Sequence, residues 1–395
     1  MLTDNSFIEV DYHRHSKNGQ SVAGDVFVSH RVSGTDRTIC VLADGLGSGI
    51  KANVLATLTA TMAMKYVSSD IDLFRASEII MKTLPICKVR NIGYSTFSIF
   101  DIKHDGMVDV VEFDNPPFVL IRDHKKIEVD KQSFKVTPGN LGPRDVWHSR
   151  FRVKRGDRAI ILSDGITQSG IGTPTMPLGW TDDAAAVYTI DLCKRRQDIS
   201  ARSLARQITA RALQNDGYRA RDDMTCAVIY VRKPRRTMII TGPPIDKKKD
   251  CELANLIETF DGRRIICGGT TANIVARELD KTLNVDLSMM AGDIPPISRM
   301  SGVDLVTEGI LTLTRCVDIL ENSPNPDVLD PNAAVQIVRI LLDSDIIEFV
   351  VGTKINDAHQ DPNLPVELDI RKNLLKKFVG LLNRKYLKQA SMTYI

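Results

Sequence analysis

Gly24-Asp25-Val26-Phe27-Val28-Ser29-His30-Arg31-Val32, then Ser33-Gly34-Thr35-Asp36, then Thr38-Ile39-Cys40-Val41-Leu42-Ala43-Asp44-Gly45: this stretch decides the fold of the first half of the chain. Residues 25–32 alternate as a half-buried strand does, the Ser-Gly-Thr-Asp break has turn chemistry, and an apolar run resumes at Thr38, so the stretch predicts a hairpin. If the hairpin turns about Gly34 and Thr35, Asp25 and Asp44 are nearly equidistant from the turn and fall opposite each other. Opposed strand residues stand about 5 Å apart at Cβ. Two carboxylates that close on one face repel strongly unless a cation lies between them.

Outward from the hairpin, Gly45-Leu46-Gly47-Ser48-Gly49 leads into an alanine-rich segment. Its Ile50, Val54, Leu55, Leu58 and Met62 have the spacing of one helical face. A second helix is predicted over Leu73 to Leu84. Strand-like runs follow at Tyr94 to Ile102, Met107 to Phe113, Phe118 to Arg122, Lys126 to Val129, Phe151 to Val153 and Arg158 to Asp164. A helix over Ser203 to Leu213 and a strand from Met224 to Val231 complete the half. This grammar fits the α+β class, as an N-terminal αββα sandwich of antiparallel sheets flanked by helices.

Lys233-Pro234-Arg235-Arg236 reads as a boundary between a domain at 1–234 and a second, α/β domain at 237–395. There Met238 to Thr241 reads as a strand, Cys251 to Phe260 as a helix, Arg264 to Cys267 as a strand and Thr271 to Leu279 as a helix, the alternation of a parallel-sheet unit. Helices are predicted over Ile310 to Leu320 and Ala333 to Leu342, a strand over Ile346 to Val351 and an amphipathic helix over Leu368 to Leu387. The stripe Leu374, Leu375, Phe378, Leu381, Leu382 is core or the seam of a homodimer. Cys267-Gly268-Gly269-Thr270-Thr271 reads as a tight turn with a threonine cap before an anion site, since no Gly-x-Gly-x-x-Gly or P-loop lysine accompanies it.

A length of 395 residues suits two cores, and 43% apolar with 26% charged residues is ordinary globular composition. The net charge is only +3, and no basic cluster is interleaved with aromatics, which argues against nucleic acid as the main partner. Seven dispersed cysteines without a Cys-x-x-Cys pair suggest reduced thiols in a cytoplasm. No apolar run approaches the roughly 18 residues of a membrane span.

Four aspartates sit at predicted strand ends: Asp25, Asp44, Asp164 before Gly165, and Asp222 before Asp223. Any single Asp-Gly is more often a turn than a ligand. Three such signals, each bounding a strong apolar strand, are harder to explain as independent turns. An all-oxygen cluster favours Mg²⁺ or Mn²⁺ over zinc.

Gly24-Asp25, Ala43-Asp44-Gly45-Leu46-Gly47-Ser48-Gly49, Leu162-Ser163-Asp164-Gly165-Ile166-Thr167 and Arg221-Asp222-Asp223-Met224-Thr225 together resemble the metal-dependent type-2C (PPM) serine/threonine protein phosphatases. The resemblance is nearest their bacterial SpoIIE-like branch, which includes phosphatases of anti-sigma-factor antagonists. Tyr94-Ser95-Thr96-Phe97, Asn115-Pro116-Pro117-Phe118 and Leu141-Gly142 support it, over residues 8 to 231. It implies two divalent ions, Mn²⁺ or Mg²⁺, held by Asp25, Asp44, the Gly45 carbonyl, Asp164 and Asp222. It further implies hydrolysis of a phosphoprotein by metal-bridged water, with no cysteine in catalysis. Asp114-Asn115 stands where the family often has Gly-His, Gln168 where it often has an acid, and Asp223 where many relatives have Asn. No arginine occupies the phosphate-gripping place; His13, Arg14 and Lys17 precede Asp25, and His13 and His15 read as a solvated surface stretch. Two alternatives stay open: a regulatory binding protein of the same fold without turnover, and a hydrolase of a small phosphoester.

Overall fold

A computed structural model describes residues 6–32, 35, 37–84, 86–87, 92–93, 95–137, 142–286, 297–323, 329–330, 332–353 and 364–395, without the side chains of 86–87, 92–93, 286 and 364–370. Gly34, Tyr94 and Leu141, used in the sequence reading, lie outside the described residues. The chain divides into two compact units, Met1–Lys233 and Pro234–Ile395.

The first unit begins with β1 (Phe7–His15), β2 (Asp25–Val32), β3 (Arg37–Gly45), α1 (Gly49–Ser68) and α2 (Leu73–Thr83). It continues through β4 (Ile86–Cys87), β5 (Ile92–Gly93), β6 (Ser95–Ile102), β7 (Met107–Phe113), β8 (Val119–Arg122), β9 (Lys125–Ile127), β10 (Lys131–Val136) and β11 (Arg144–Arg152). It closes with β12 (Arg158–Leu162), α3 (Asp164–Thr167), α4 (Asp182–Arg195), α5 (Ala201–Asn215) and β13 (Met224–Arg232). Two large antiparallel sheets result, ordered β1-β13-β12-β8-β9 and β10-β11-β7-β6-β3-β2, beside a two-stranded β4-β5 ribbon.

Strand periodicity sorts the apolar residues into three layers. In β3, Ile39, Val41 and Ala43 pack under α1 and α2, while Cys40 and Leu42 point into the layer between the sheets. In β13, Cys226, Val228 and Tyr230 pack under α4 and α5, while Ala227, Ile229 and Val231 join the central layer. Both faces of these strands are covered, so they read as continuous apolar runs. The unit is the expected αββα sandwich.

Several elements depart from expectation. Helix α1 buries Ala52, Ala56, Ala60 and Ala63, whereas Ile50, Val54 and Leu58 are 70%, 59% and 43% exposed. Small residues let the helix lie close on the sheet, and that requirement outranks the larger apolar stripe. Helix α4 was not foreseen because its buried face is small as well: Ala185, Ala186, Thr189 and Cys193. Strands β1 and β10 were also missed; β10 is mostly exposed and polar.

The second unit runs β14 (Arg236–Thr241), α6 (Asp250–Thr259), β15 (Arg263–Cys267), α7 (Gly269–Glu278), β16 (Leu283–Asp286), β17 (Ile297–Met300) and β18 (Val303–Thr307). Then come α8 (Ile310–Asn322), α9 (Ala333–Leu342), β19 (Ile346–Val351), α10 (Leu364–Lys385) and β20 (Gln389–Tyr394). Its sheet is ordered β16-β17-β18-β15-β14-β19-β20. The five strands from β18 to β20 are parallel, and β16 and β17 extend the sheet antiparallel. Helices α6 and α7 cover one face, and α8, α9 and α10 the other. Leu375, Phe378 and Leu382 are fully buried there, which makes the α10 stripe core. No described helix is long and apolar enough to cross a membrane.

Candidate metal centre

The hairpin register is the one its turn chemistry predicts: Asp25 at the start of β2 pairs with Asp44 near the end of β3. Asp164 opens the short helix α3 directly after β12, and Asp222 and Asp223 precede β13. β12 and β13 are paired, and the Ser163 amide donates to the Thr225 carbonyl at 2.9 Å, so the two segments leave their sheet together.

Glycines in this neighbourhood answer to contact rather than to turn conformation. A Cβ on Gly45 would stand 2.0 Å from the Ala52 carbonyl oxygen, and one on Gly165 would stand 2.2 Å from that of Asp223. Neither glycine has a positive φ. The Asp-Gly pairs therefore bring backbone against backbone beside each acid, which a turn dipeptide does not require.

The carboxylates feel one another. Asp25 is 1% exposed, and neither of its oxygens has a hydrogen-bond partner. Burial first, then Asp223 and Asp164, push it up to about 7; the hydroxyls of Thr225 and Ser163 stand near enough to hold it back without closing a hydrogen bond. Burial, followed by Asp25, Asp164 and Asp222, pushes Asp44 up to about 10. Asp164, within hydrogen-bond reach of Asp44, is raised by burial and by Asp222. The structure thus brings Asp25, Asp44, Asp164 and Asp222 into one electrostatic neighbourhood, with Asp222 at its rim, 3.7 Å from the Lys17 ammonium.

Gly45 belongs to the same place, its carbonyl oxygen 3.5 Å from where a Cβ of Gly24 would lie. Among the described residues, no three His, Cys, Asp or Glu side chains stand ready to hold a metal ion. The donor set nevertheless fits a hard cation: oxygen ligands only, with two orphaned buried oxygens on Asp25 that a divalent ion would satisfy.

Asp223 is the residue sequence reasoning undervalued. It is 3% exposed and accepts the amides of Lys17 at 2.8 Å and Gly24 at 2.7 Å, pinning the segment that leads into Asp25. Its place beside Asp222 was the available signal. Gln168 donates to Asp164 at 3.3 Å, and Asn115 takes the Thr96 hydroxyl while donating to Ser98 at 3.0 Å, so both departures from the family pattern are built into local contacts. Arg14 donates to the Asp25 carbonyl at 2.8 Å. The solvated reading of His13 fails: it is half-buried in β1, its Nδ1 lacks a partner, and burial together with Arg206, His15 and Arg202 lowers it to about 4.

Residues 34–232 match the family model of stage II sporulation protein E (SpoIIE). No curated protein matches the chain. Among solved structures, the PP2C phosphatase domain with a fragment of the regulatory domain of SpoIIE from Bacillus subtilis is 21% identical, with a TM-score of 0.48, over 57% of this chain. The chain spans 63% of that structure's length. The RsbU and RsbW domains of a Mycobacterium tuberculosis protein are 16% identical, with a TM-score of 0.44, over 64% of this chain and 67% of that one. RsbX in complex with magnesium is 20% identical, with a TM-score of 0.39, over 57% of this chain and 95% of that one. These are likenesses of fold.

Proposed function

The chain belongs to the SpoIIE family, which has the type-2C phosphatase fold, and from that premise we propose that it is a metal-dependent phosphoserine/phosphothreonine protein phosphatase. The observation that carries the reading is Asp25, a buried carboxylate with both oxygens unpartnered, paired across the hairpin with Asp44. A structural acid would have acquired a cation or donors during folding. In this reading Asp25, Asp44, the Gly45 carbonyl, Asp164 and Asp222 hold two divalent ions, Mn²⁺ or Mg²⁺. When bound, such ions supply charge neutralisation at the phosphoryl oxygens and a lowered pKa for attacking water.

The chain's own residues set the frame for that chemistry. Asp223 fixes the Lys17 and Gly24 backbone, and so the entry into β2. The Ala52 contact on Gly45 fixes the end of β3. Gln168 orients the Asp164 carboxylate, and Lys17 places a cation at the rim. Residues 237–395 act in this reading as an accessory or regulatory domain. The substrate is a cytoplasmic phosphoprotein of bacterial signalling, for which an anti-sigma-factor antagonist is the family's precedent.

The test is phosphate release by the full chain with Mn²⁺ or Mg²⁺ from a phosphoserine peptide and from an aryl phosphate, alongside calorimetric titration of each metal. Metal-dependent turnover that is lost in Asp44→Asn supports the reading. The departures at Gln168 and Asn115, both held in local contacts, favour as second reading a binding protein of the same fold without turnover. Metal binding with no release from either substrate would decide for that reading.

A further inference from the structure

Four parallel strands of the second unit end on one level. Thr241 of β14 pairs with Cys267 of β15 and with Val351 of β19, and Cys267 pairs with Thr307 of β18. The neighbours β15 and β18 then send their helices to opposite faces, α7 into the core it shares with α6, and α8 into the core it shares with α9 and α10. A parallel sheet opens a crevice at the carboxyl ends of strands whose connections diverge in this way, and such crevices take ligands.

Both helices start at that crevice. Their N-caps are Gly268 and Gly309, and the Gly268 Cα lies 3.7 Å from where a Gly309 Cβ would stand. The expected threonine cap is not made, and neither helix has a side-chain cap, so the first-turn amides of both are left for another acceptor.

Thr312 is an independent sign of what that acceptor is. It lies in the first turn of α8, is 1% exposed, and its hydroxyl has no hydrogen-bond partner. Helical hydroxyls elsewhere bond back one turn, as Thr314 does to the Ile310 carbonyl at 2.9 Å and Thr209 to that of Ala205 at 2.9 Å. Helical side chains lean toward the N-terminus of their helix, which directs this unused donor at the crevice.

Glu308 follows β18 directly and is exposed, its Oε1 3.8 Å from where a Gly269 Cβ would stand. A carboxylate there disfavours a bare anion but accepts hydrogen bonds from hydroxyls. An acid at the end of the strand beside a glycine-bearing phosphate turn is where nucleotide-binding sheets hold ribose. From this arrangement we infer that the second unit binds a ribonucleoside phosphate. The phosphate sits on the first turns of α7 and α8 with the Thr312 hydroxyl, and the ribose hydroxyls sit on Glu308.

The experiment uses the full chain in chelator, without divalent ions, so its outcome is independent of the phosphatase reading. Calorimetric titration with the four ribonucleoside 5′-monophosphates, their 2′-deoxy counterparts and inorganic phosphate is expected to show at least one ribonucleotide binding. Its deoxy counterpart should bind about tenfold more weakly. Thr312→Val, which keeps the shape and removes a buried hydroxyl that makes no internal bond, should weaken both by about tenfold with melting unchanged or raised. Glu308→Gln should erase most of the ribose preference. The inference is overturned if no monophosphate binds at millimolar concentration, if Thr312→Val binds as the parent does, or if inorganic phosphate binds as well as every nucleotide.

Discussion

The larger sheet of the first unit contains two cross-strand aspartate pairs, and the chain treats them in opposite ways. Asp101 of β6 stands opposite Asp109 of β7, just as Asp25 of β2 stands opposite Asp44 of β3. Around the first pair the cations are dense. Arg37 grips Asp101 with two hydrogen bonds of 2.6 and 2.9 Å, and Asp109 receives Arg150 at 2.6 Å, His148 at 3.2 Å and Lys103 at 3.3 Å. Burial works against the Asp109 charge, yet Arg150, His148 and Lys103 outweigh it and hold the carboxyl below its ordinary range. Around the second pair stand further carboxylates, with only the Thr225 and Ser163 hydroxyls beside Asp25 to offset them, and both acids are raised. The same sheet can neutralise opposed aspartates, yet it leaves both oxygens of Asp25 without a partner, and in the reading proposed above an external cation takes that place.

Exchanging one acid in each pair gives the largest contrast. Asp44→Asn should lower metal-dependent turnover by about a thousandfold or more, as expected when a ligand to catalytic ions is lost. Asp109→Asn should leave turnover within about threefold and cost only about 1 kcal/mol, because the Arg150 and Lys103 side chains it pairs with are themselves largely exposed. Steady-state kinetics and urea melts of the two variants check this. Equal kinetic damage from both would mean that the unpaired acids have no special role.

The pairs should also differ in their response to pH. A carboxyl whose folded pKa is raised binds its proton more tightly folded than unfolded. It contributes stability that is fully present below about pH 4 and lost as the pH climbs through the folded value. For Asp25 and Asp44, metal-free protein should therefore lose stability as the pH rises from about 4 through the neutral range. Asp109, with a lowered pKa, works in the opposite sense and only below the ordinary carboxylate range. Asp44→Asn should raise the metal-free melting temperature at pH 8 by about 4–8 °C, roughly 2 kcal/mol. Mn²⁺ should stabilise the parent and not the variant. A parent whose melting temperature is flat from pH 5 to 9 would count against the crowding described here.

This contrast also shows where sequence reasoning works and where it stops. The Asp25 and Asp44 register was legible because a hairpin's pairing follows from its turn, and the sandwich was legible because its strands are apolar on both faces. That Asp101 and Asp109 are paired and Asp25 is not could not be read, since Arg37, His148 and Arg150 arrive from strands far apart in sequence. The buried face of α1 was misassigned because close helix-on-sheet packing selects alanine over the bulkier Ile50, Val54 and Leu58. Asp223 gave little warning, because its two bonds go to the backbone of residues about 200 positions away.

A smaller perturbation reaches the unpaired site through packing alone. In Gly45→Ala the new Cβ would meet the Ala52 carbonyl of α1, so the helix or the end of β3 must shift. A cost of about 1–3 kcal/mol is expected. Because the shift displaces a backbone carbonyl assigned to the metal, metal affinity should fall about tenfold while Asp101 and Asp109 are undisturbed. Calorimetry for the metal, with thermal melts of the same samples, separates the two effects; lost stability at full affinity would release Gly45 from the metal set.

Asp223→Asn should have the mildest effect. The carboxylate now accepts one amide on each oxygen, from Lys17 and from Gly24, and an asparagine offers one acceptor and a donor that must turn from the second amide. One buried bond is lost, at about 1 kcal/mol, and the segment entering β2 loosens without losing an acid assigned to the ions. Turnover should drop no more than about fivefold, through a weaker apparent metal affinity that excess Mn²⁺ restores. If excess metal fails to restore it and the loss matches that of Asp44→Asn, Asp223 belongs among the ligands and the cluster around Asp25 has five working acids.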